Sequence, residues 1–433
     1  MKKLIIAVAV LLVLGAGGLW LSMRRAPGGA LLPESSGPFQ VAASGPGQLI
    51  KLQDPQVPLR TLHWVGPIPG GLLAAQMVTQ SDRQQVVLFR NGLAANPLVV
   101  AKPLGLSEGF WRFAVLKEML DLPGGDIALL YAPADAASTE PNVVIAVDAA
   151  HADTRWTHRG PFQHMLLAPG KDPQLFLVGN PVVIQRLPLG AASGGEAGRS
   201  GPNAAARTVE VPPEVPGIDA LLPTGGSGFL VSHGKGLSAF SGKAGWSHQP
   251  LPEQHGVTCA DWRSTLVRAG RKLWWQPWPG TLVEVAADGT TRTQWEPEPL
   301  AEDDPFAQDI SLLRLIGADE AGALWFTLAS PATAVAPPQA LPAAPASDTP
   351  SEPAAATDWA AYRDKGLDRI YRLESGSRGL KRFSWSQGWP ALNPPPEAGQ
   401  MPSGQMLSPE AGALAVEGSR CCWLLPLKAL PFH

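Results

Sequence analysis

Short apolar strands, each set off by Gly, Pro, Asn or Asp turns, recur along nearly the whole chain. GADEAGALWFTLASP, Gly317 to Pro331, is one instance: a polar turn at Asp319, Glu320 and Gly322 feeds the aromatic strand Leu324-Trp325-Phe326-Thr327. RTLHWVG, LLAAQMVTQ and QQVVLFRN stand within 60–91. Further groups fall at 113–159, 163–212, 218–250, 258–297, 311–385 and 405–427. Strands this short, punctuated this regularly, indicate an all-β sandwich, barrel or propeller. A period near 40–50 residues, with one four-stranded sheet per period, selects the β-propeller. We therefore expect about seven four-stranded blades, with six to eight compatible with the spacing. Closure into a ring also removes exposed sheet edges from so long a domain.

The last group has three strands, QMLSPE, ALAVEG and CCWLLPL. Its fourth is expected from the N-terminal segment FQVAAS or QLIKLQ, Phe39 to Gln53, which would close the ring. Gly and Pro together make up about a fifth of the chain, which suits many turns and opposes a helical bundle. Fifteen Trp and repeated Leu/Val runs need a core, which opposes disorder throughout.

A second regularity ends several groups. VVIAVDAAHADTRWTH, GLSAFSGKAGWSH, LVEVAADGTTRTQW and YRLESGSRGLKRFSW each carry a strand into a small or acidic turn, then a short run to Trp156, Trp246, Trp295 or Trp385. This form resembles the repeat of quinoprotein-like (PQQ-like or WD40-like) propellers of the bacterial envelope, including the outer-membrane assembly lipoproteins built on it. The resemblance covers four of the seven groups; the third has Val209 where Trp would stand. It implies the fold class. Packing explains the residue type, since a large ring at a blade edge fills the wedge between blades.

The N-terminus, MKKLIIAVAVLLVLGAGGLWLSMRR, sets Leu4 to Leu21 between Lys2-Lys3 and Arg24-Arg25. As a helix that run is about 27 Å long, close to a bilayer's hydrocarbon thickness. Residues 1–25 therefore read as one transmembrane anchor, or as a signal peptide cleaved near Ala16-x-Gly18. Residues 26–37 form a linker, and 38–433 the propeller. The orientation expected is a short basic end inside and the large domain in the periplasm, making a single-pass protein of a bacterial inner membrane. Without residues 1–25 the formal charge moves from −3 to −7, which argues against nucleic acid as a partner.

Three insertions interrupt the beat: 132–142, the Gly/Ala/Ser-rich 190–206, and the Pro/Ala-rich 331–358, all expected to be flexible. Propeller strands alternate direction, so loops alternate faces. The 132–142 and 331–358 insertions, each joining a second strand to a third, share a face with the connection EPEPLAEDDPFAQD between the fifth and sixth groups. That connection carries Glu296, Glu298, Glu302, Asp303, Asp304 and Asp309. With Trp278, which follows Trp274 and Trp275 in KLWWQPWPG, these residues define a candidate interaction face. The acidic loop lacks the D-x-D-x-D-G order of a calcium site.

Catalytic motifs are not found. There is no H-E-x-x-H and no G-x-S-x-G; HGKGLS at 233–238 has neither the glycine spacing nor the Ser/Thr of a phosphate loop. Cys259, Cys421 and Cys422 do not make a disulfide framework, and alternation along a strand sends Cys421 and Cys422 to opposite faces. We expect no catalytic, cofactor or metal residues, and a scaffold that binds another envelope protein or peptide. The competing readings are an enzyme with an axial site of the quinone-dependent dehydrogenase kind, and a glycan-binding module using Trp278 or a His158/His248 rim.

Overall fold

The computed structural model describes most of residues 39–432. Residues 1–38, 45–46, 54–58, 80–83, 91–97, 169–172, 180–181, 190–205, 226–227, 253–258, 260–261, 299–306, 330–368 and 385–403, with a few single positions, fall outside the description. The expected anchor 1–25 and linker 26–37 are among them. Among the described residues no helix is long and apolar enough to cross a membrane.

Seven antiparallel sheets form the described chain. Six hold four consecutive strands each: blade 1 at 59–100, blade 2 at 115–160, blade 3 at 162–209, blade 4 at 220–250, blade 5 at 265–294 and blade 6 at 313–384. Blade 7 has five strands, in the order Gly404–Ser408, Ala413–Glu417, Cys421–Pro426, Gly47–Leu52 and Phe39–Ser44. Both N-terminal candidates are therefore used: GQLIKL pairs with CCWLLP as fourth strand, and FQVAAS adds a fifth outside it.

The first strand of each blade is innermost. These are Leu59–Ile68, Val115–Asp121, Phe162–Ala168, Ala220–Gly225, Thr265–Ala269, Leu313–Ala318 and Gly404–Ser408. Each touches the next in that order, and the seventh touches the first, so the ring is closed.

The core is divided as the ring is. Seven apolar clusters fill the seven spaces between neighbouring blades. Blade 2 shows why its strands read as unbroken apolar runs. Ile127, Leu129, Tyr131, Val143, Ile145 and Val147 pack towards blade 1, while Ala128, Leu130, Val144 and Ala146 pack towards blade 3. Period-two alternation thus feeds two cores, and no position between the strand ends is left polar. In blade 7 the same rule parts the neighbouring thiols: Cys421 joins the core with blade 6 and Cys422 the core with blade 1. Neither thiol is in a disulfide, and both are buried.

GADEAGALWFTL is the turn from first to second strand of blade 6, as its residue order suggested. Gly322 adopts φ +80° there, and Asp319 Oδ1 accepts the Ala323 N–H at 2.9 Å. Asp319 Oδ2 accepts the Trp325 indole N–H at 3.0 Å, so the acid of one turn anchors the aromatic of the next strand. Trp156 and Trp295 wedge between their blade and the following one, and Trp246 between its blade and the preceding one. Trp385 lies outside the described residues.

Two elements were not foreseen. Leu98–Val100 supplies the outer strand of blade 1. A helix of six residues, Glu108–Phe113, bridges blades 1 and 2; Ser107 Oγ caps its Phe110 N–H at 3.0 Å, and Phe110 and Trp111 are buried.

Candidate functional site

The inner strands all run the same way along the ring axis, so residues early in each lie near one end. That starting end also receives every connection from one blade to the next, and every connection from second to third strand. Between the inner strands of blades 1 to 5 lies a cavity of about 450 Å³. Early positions on these strands are polar or charged: Lys117 and Glu118 in blade 2, His164 in blade 3, and Asp219 just ahead of the blade 4 strand. Later positions are apolar: Val65 and Ile68, Met119, Leu166, Leu221 and Leu266. The cavity is therefore graded along the axis, with charge at the starting end and hydrocarbon beyond it.

Glu118 holds the polar end together. Its Oε1 stands 2.5 Å from His164 Nδ1, and its Oε2 accepts the Met165 N–H at 2.8 Å, so one carboxylate spans blades 2 and 3. The hydrogen bond from Glu118 raises the His164 imidazole above its ordinary range, against a smaller opposing effect of burial. Asp219 makes the equivalent link from blade 4 to blade 5, accepting Ser264 Oγ–H at 3.0 Å. His63, beside this group on the blade 1 strand, is held below the usual imidazole range by desolvation and then by the Lys117 ammonium.

Among the described residues, those singled out from sequence lie in different surroundings. Glu296 and Glu298 are exposed and lie against the outer hairpin of blade 6: Glu296 Oε2 is 3.4 Å from an Arg378 guanidinium nitrogen, and the Glu298 N–H reaches the Arg378 carbonyl at 3.2 Å. Asp309 is 6% exposed and turned inward, paired with Arg369 at 2.5 Å and accepting the Tyr371 hydroxyl. It ties the connection between blades 5 and 6 to the first residues of the strand that follows 330–368, so its carboxylate is not presented outward. Glu302, Asp303 and Asp304 lie outside the described residues. Trp278 is half-buried, and its indole N–H donates to the Pro252 carbonyl at 3.1 Å. Trp275 is buried between blades 4 and 5, whereas Trp274 faces blade 6 under Lys272.

His158 and His248 do not form a shared rim. His158 Nε2 meets Gln185 Oε1 at 2.8 Å in blade 3. His248 belongs to a chain within blade 4, where Ser238 Oγ lies 3.0 Å from His233 Nε2 and 3.2 Å from His248 Nδ1. The Lys235 N–H donates to His233 Nδ1, which makes Nε2 the protonated nitrogen of the neutral ring. Among the described residues no group of three or more His, Cys, Asp or Glu is placed to hold a metal ion.

The axial constellation escaped the sequence reading because its members lie some 45 residues apart in separate blades. A signal was present. LKEML, FQHML and RSTL each set a polar pair, and IDALL the single Asp219, ahead of an apolar residue.

No known family profile matches this chain, and no curated protein matches it in sequence. Solved structures do resemble it. BamB from Moraxella catarrhalis aligns over 91% of this chain and 96% of its own, at 11% identity and TM-score 0.40. The WD40 domain of SCAP from fission yeast aligns over 90% and 98%, at 10% identity and TM-score 0.43. Dihydro-heme d1 dehydrogenase NirN aligns over 93% and 74%, at 11% identity and TM-score 0.44. The likeness is a weak one of β-propeller architecture, in keeping with the expected repeat, and at this similarity it says nothing about ligand or partner.

Proposed function

We propose that this protein is a binding scaffold of the bacterial envelope, tethered to the inner membrane by residues 1–25, with its ring in the periplasm and its starting end holding another envelope protein. What supports this reading is one topological observation. The connection 133–141 and the connection spanning 330–368 both leave from the starting end. The 330–368 connection is the longest between two strands of one blade, exceeding that between Pro188 and Arg207 at the opposite end, and such excursions commonly carry recognition. The described part of 133–141 is built for presentation: Asp135 Oδ1 accepts the Ala137 N–H and Ser138 Oγ the Glu140 N–H, leaving Asp135 and Glu140 exposed.

The tether leaves from the same end. Phe39 pairs with Leu52, and Lys51 with Cys421 at the beginning of a third strand, so residue 38 enters at the starting end of blade 7. Residues 26–38 reach at most about 45 Å when extended. The recognising end therefore stays near the bilayer, and its partner is a membrane protein or a protein held close to the membrane. Deleting 333–356 should abolish in-cell crosslinking to the main co-purifying envelope protein while leaving the melting temperature unchanged. Retention of that partner would contradict the reading.

A further inference from the structure

The axial cavity has an imbalance that its own residues do not resolve. Both of its carboxylates are engaged, Glu118 by His164 and the Met165 amide, and Asp219 by Ser264. Two cations at the same end are not. Lys117 lines the cavity and is exposed, and Arg263, exposed and outside the lining itself, immediately precedes the Ser264 that bonds Asp219 of the lining. Among the described residues neither forms a salt bridge. Beyond them the walls are Val65, Ile68, Met119, Leu166, Leu221 and Leu266. An unpaired cation beside a graded apolar cavity suits a ligand with one charged end and a hydrocarbon body. Glu118 and Asp219 stand beside the cations and repel a second negative charge, which favours a monoanion over a phosphate dianion.

We propose that the axial cavity binds a carboxylate on an aliphatic body, its carboxylate at Lys117 and Arg263 and its body among the apolar side chains. The same chemistry is offered by a free alkyl carboxylate and by the C-terminus of a peptide ending in apolar residues. The cavity is separate from the protein-binding surface proposed above, and the proposal does not depend on it.

The test is calorimetric titration of the full-length protein with hexanoate, hexanol, hexyl phosphate, and the peptide Ala-Leu-Leu with a free or an amidated C-terminus. Saturable binding of hexanoate or of the free peptide is expected, weakened roughly tenfold in Lys117→Gln and Arg263→Gln, with hexanol and the amidated peptide binding more weakly than their charged counterparts. Tighter binding of the peptide identifies a protein C-terminus as the source, and tighter binding of hexanoate a free acid. Both substitutions fall on exposed side chains without ion pairs, so the variants should melt as the parent does; should one not fold, the other decides. The proposal is overturned if no carboxylate binds, if hexanol matches hexanoate, if hexyl phosphate binds more tightly, or if neither substitution weakens binding.

Discussion

Gln76 and Gln276 play one part at two interfaces. Gln76, in the second strand of blade 1, donates from Nε2 to the Ala114 carbonyl at 2.7 Å and accepts the Leu116 N–H at 2.9 Å. Gln276, in the second strand of blade 5, does the same to the Leu313 carbonyl and the Leu315 N–H, at 2.8 and 2.7 Å. Each clips the inner strand of the following blade through a primary amide, the one uncharged side-chain group that both donates and accepts in this geometry. Gln76→Met or Gln276→Met strands one buried backbone N–H, that of Leu116 or Leu315, while the Ala114 carbonyl keeps Gln84 Nε2 and the Leu313 carbonyl keeps the Gly280 N–H; each should cost about 1–3 kcal/mol in denaturant unfolding, and a loss within error would mean that the amides contribute nothing. His233 gives a pH signature. Burial, then His248 and Lys235, lower its pKa from 6.5 to about 4 in the fold. The unfolded chain therefore takes up this proton first as pH falls. The contribution to stability is whole above pH 6.5, declines between 6.5 and about 4, and then levels off. Melting curves of the parent and of His233→Gln should converge across that window, and a pH-independent gap would contradict the assignment.

At the level of elements, the N-terminal strands decide whether the ring holds. Gly47–Leu52 is the fourth strand of blade 7, and Ile50 and Leu52 help fill the core shared with blade 1. Phe39, from the fifth strand, packs edge-on against Trp64 and Phe89 of blade 1, with ring centroids 5.6 and 5.3 Å away. Removing residues 1–44 should weaken that closure but leave a monomer, whereas removing 1–53 should expose the Cys421–Pro426 edge and produce aggregates in size-exclusion chromatography. A monomeric, equally stable 54–433 fragment would show that the seventh blade does not need its N-terminal strands. This closure was legible from sequence, because a three-strand final group had to find a fourth and the apolar N-terminal runs could supply it. Leu98–Val100 was not legible: three residues are too few to show a period. The helix Glu108–Phe113 was obscured in the same way, since six residues hold less than two turns and its burial comes from neighbouring blades. Site residues were harder than strands. Asp309 looked like part of an acidic loop, and only Arg369 and Tyr371, some 60 positions on, make it a buried anchor.

For the whole molecule, alternation of strand direction converts a linear list of insertions into two ends with different properties. The starting end collects the second-to-third-strand connections 133–141 and 330–368, the charged part of the axial cavity and Phe39. The opposite end collects the first-to-second and third-to-fourth connections, from the tight turn at Asp288, whose Oδ1 accepts the Thr290 N–H at 3.0 Å, to the longer passage between Pro188 and Arg207. A partner is expected to use the starting end and not the opposite one. The most direct measurement is site-specific photo-crosslinking in cells, with a photoreactive residue at Asp135 on the starting end or at Asp288 on the opposite one, both exposed. A discrete envelope-protein adduct is expected from position 135 and none from 288. An adduct from 288 with none from 135 would contradict this expectation.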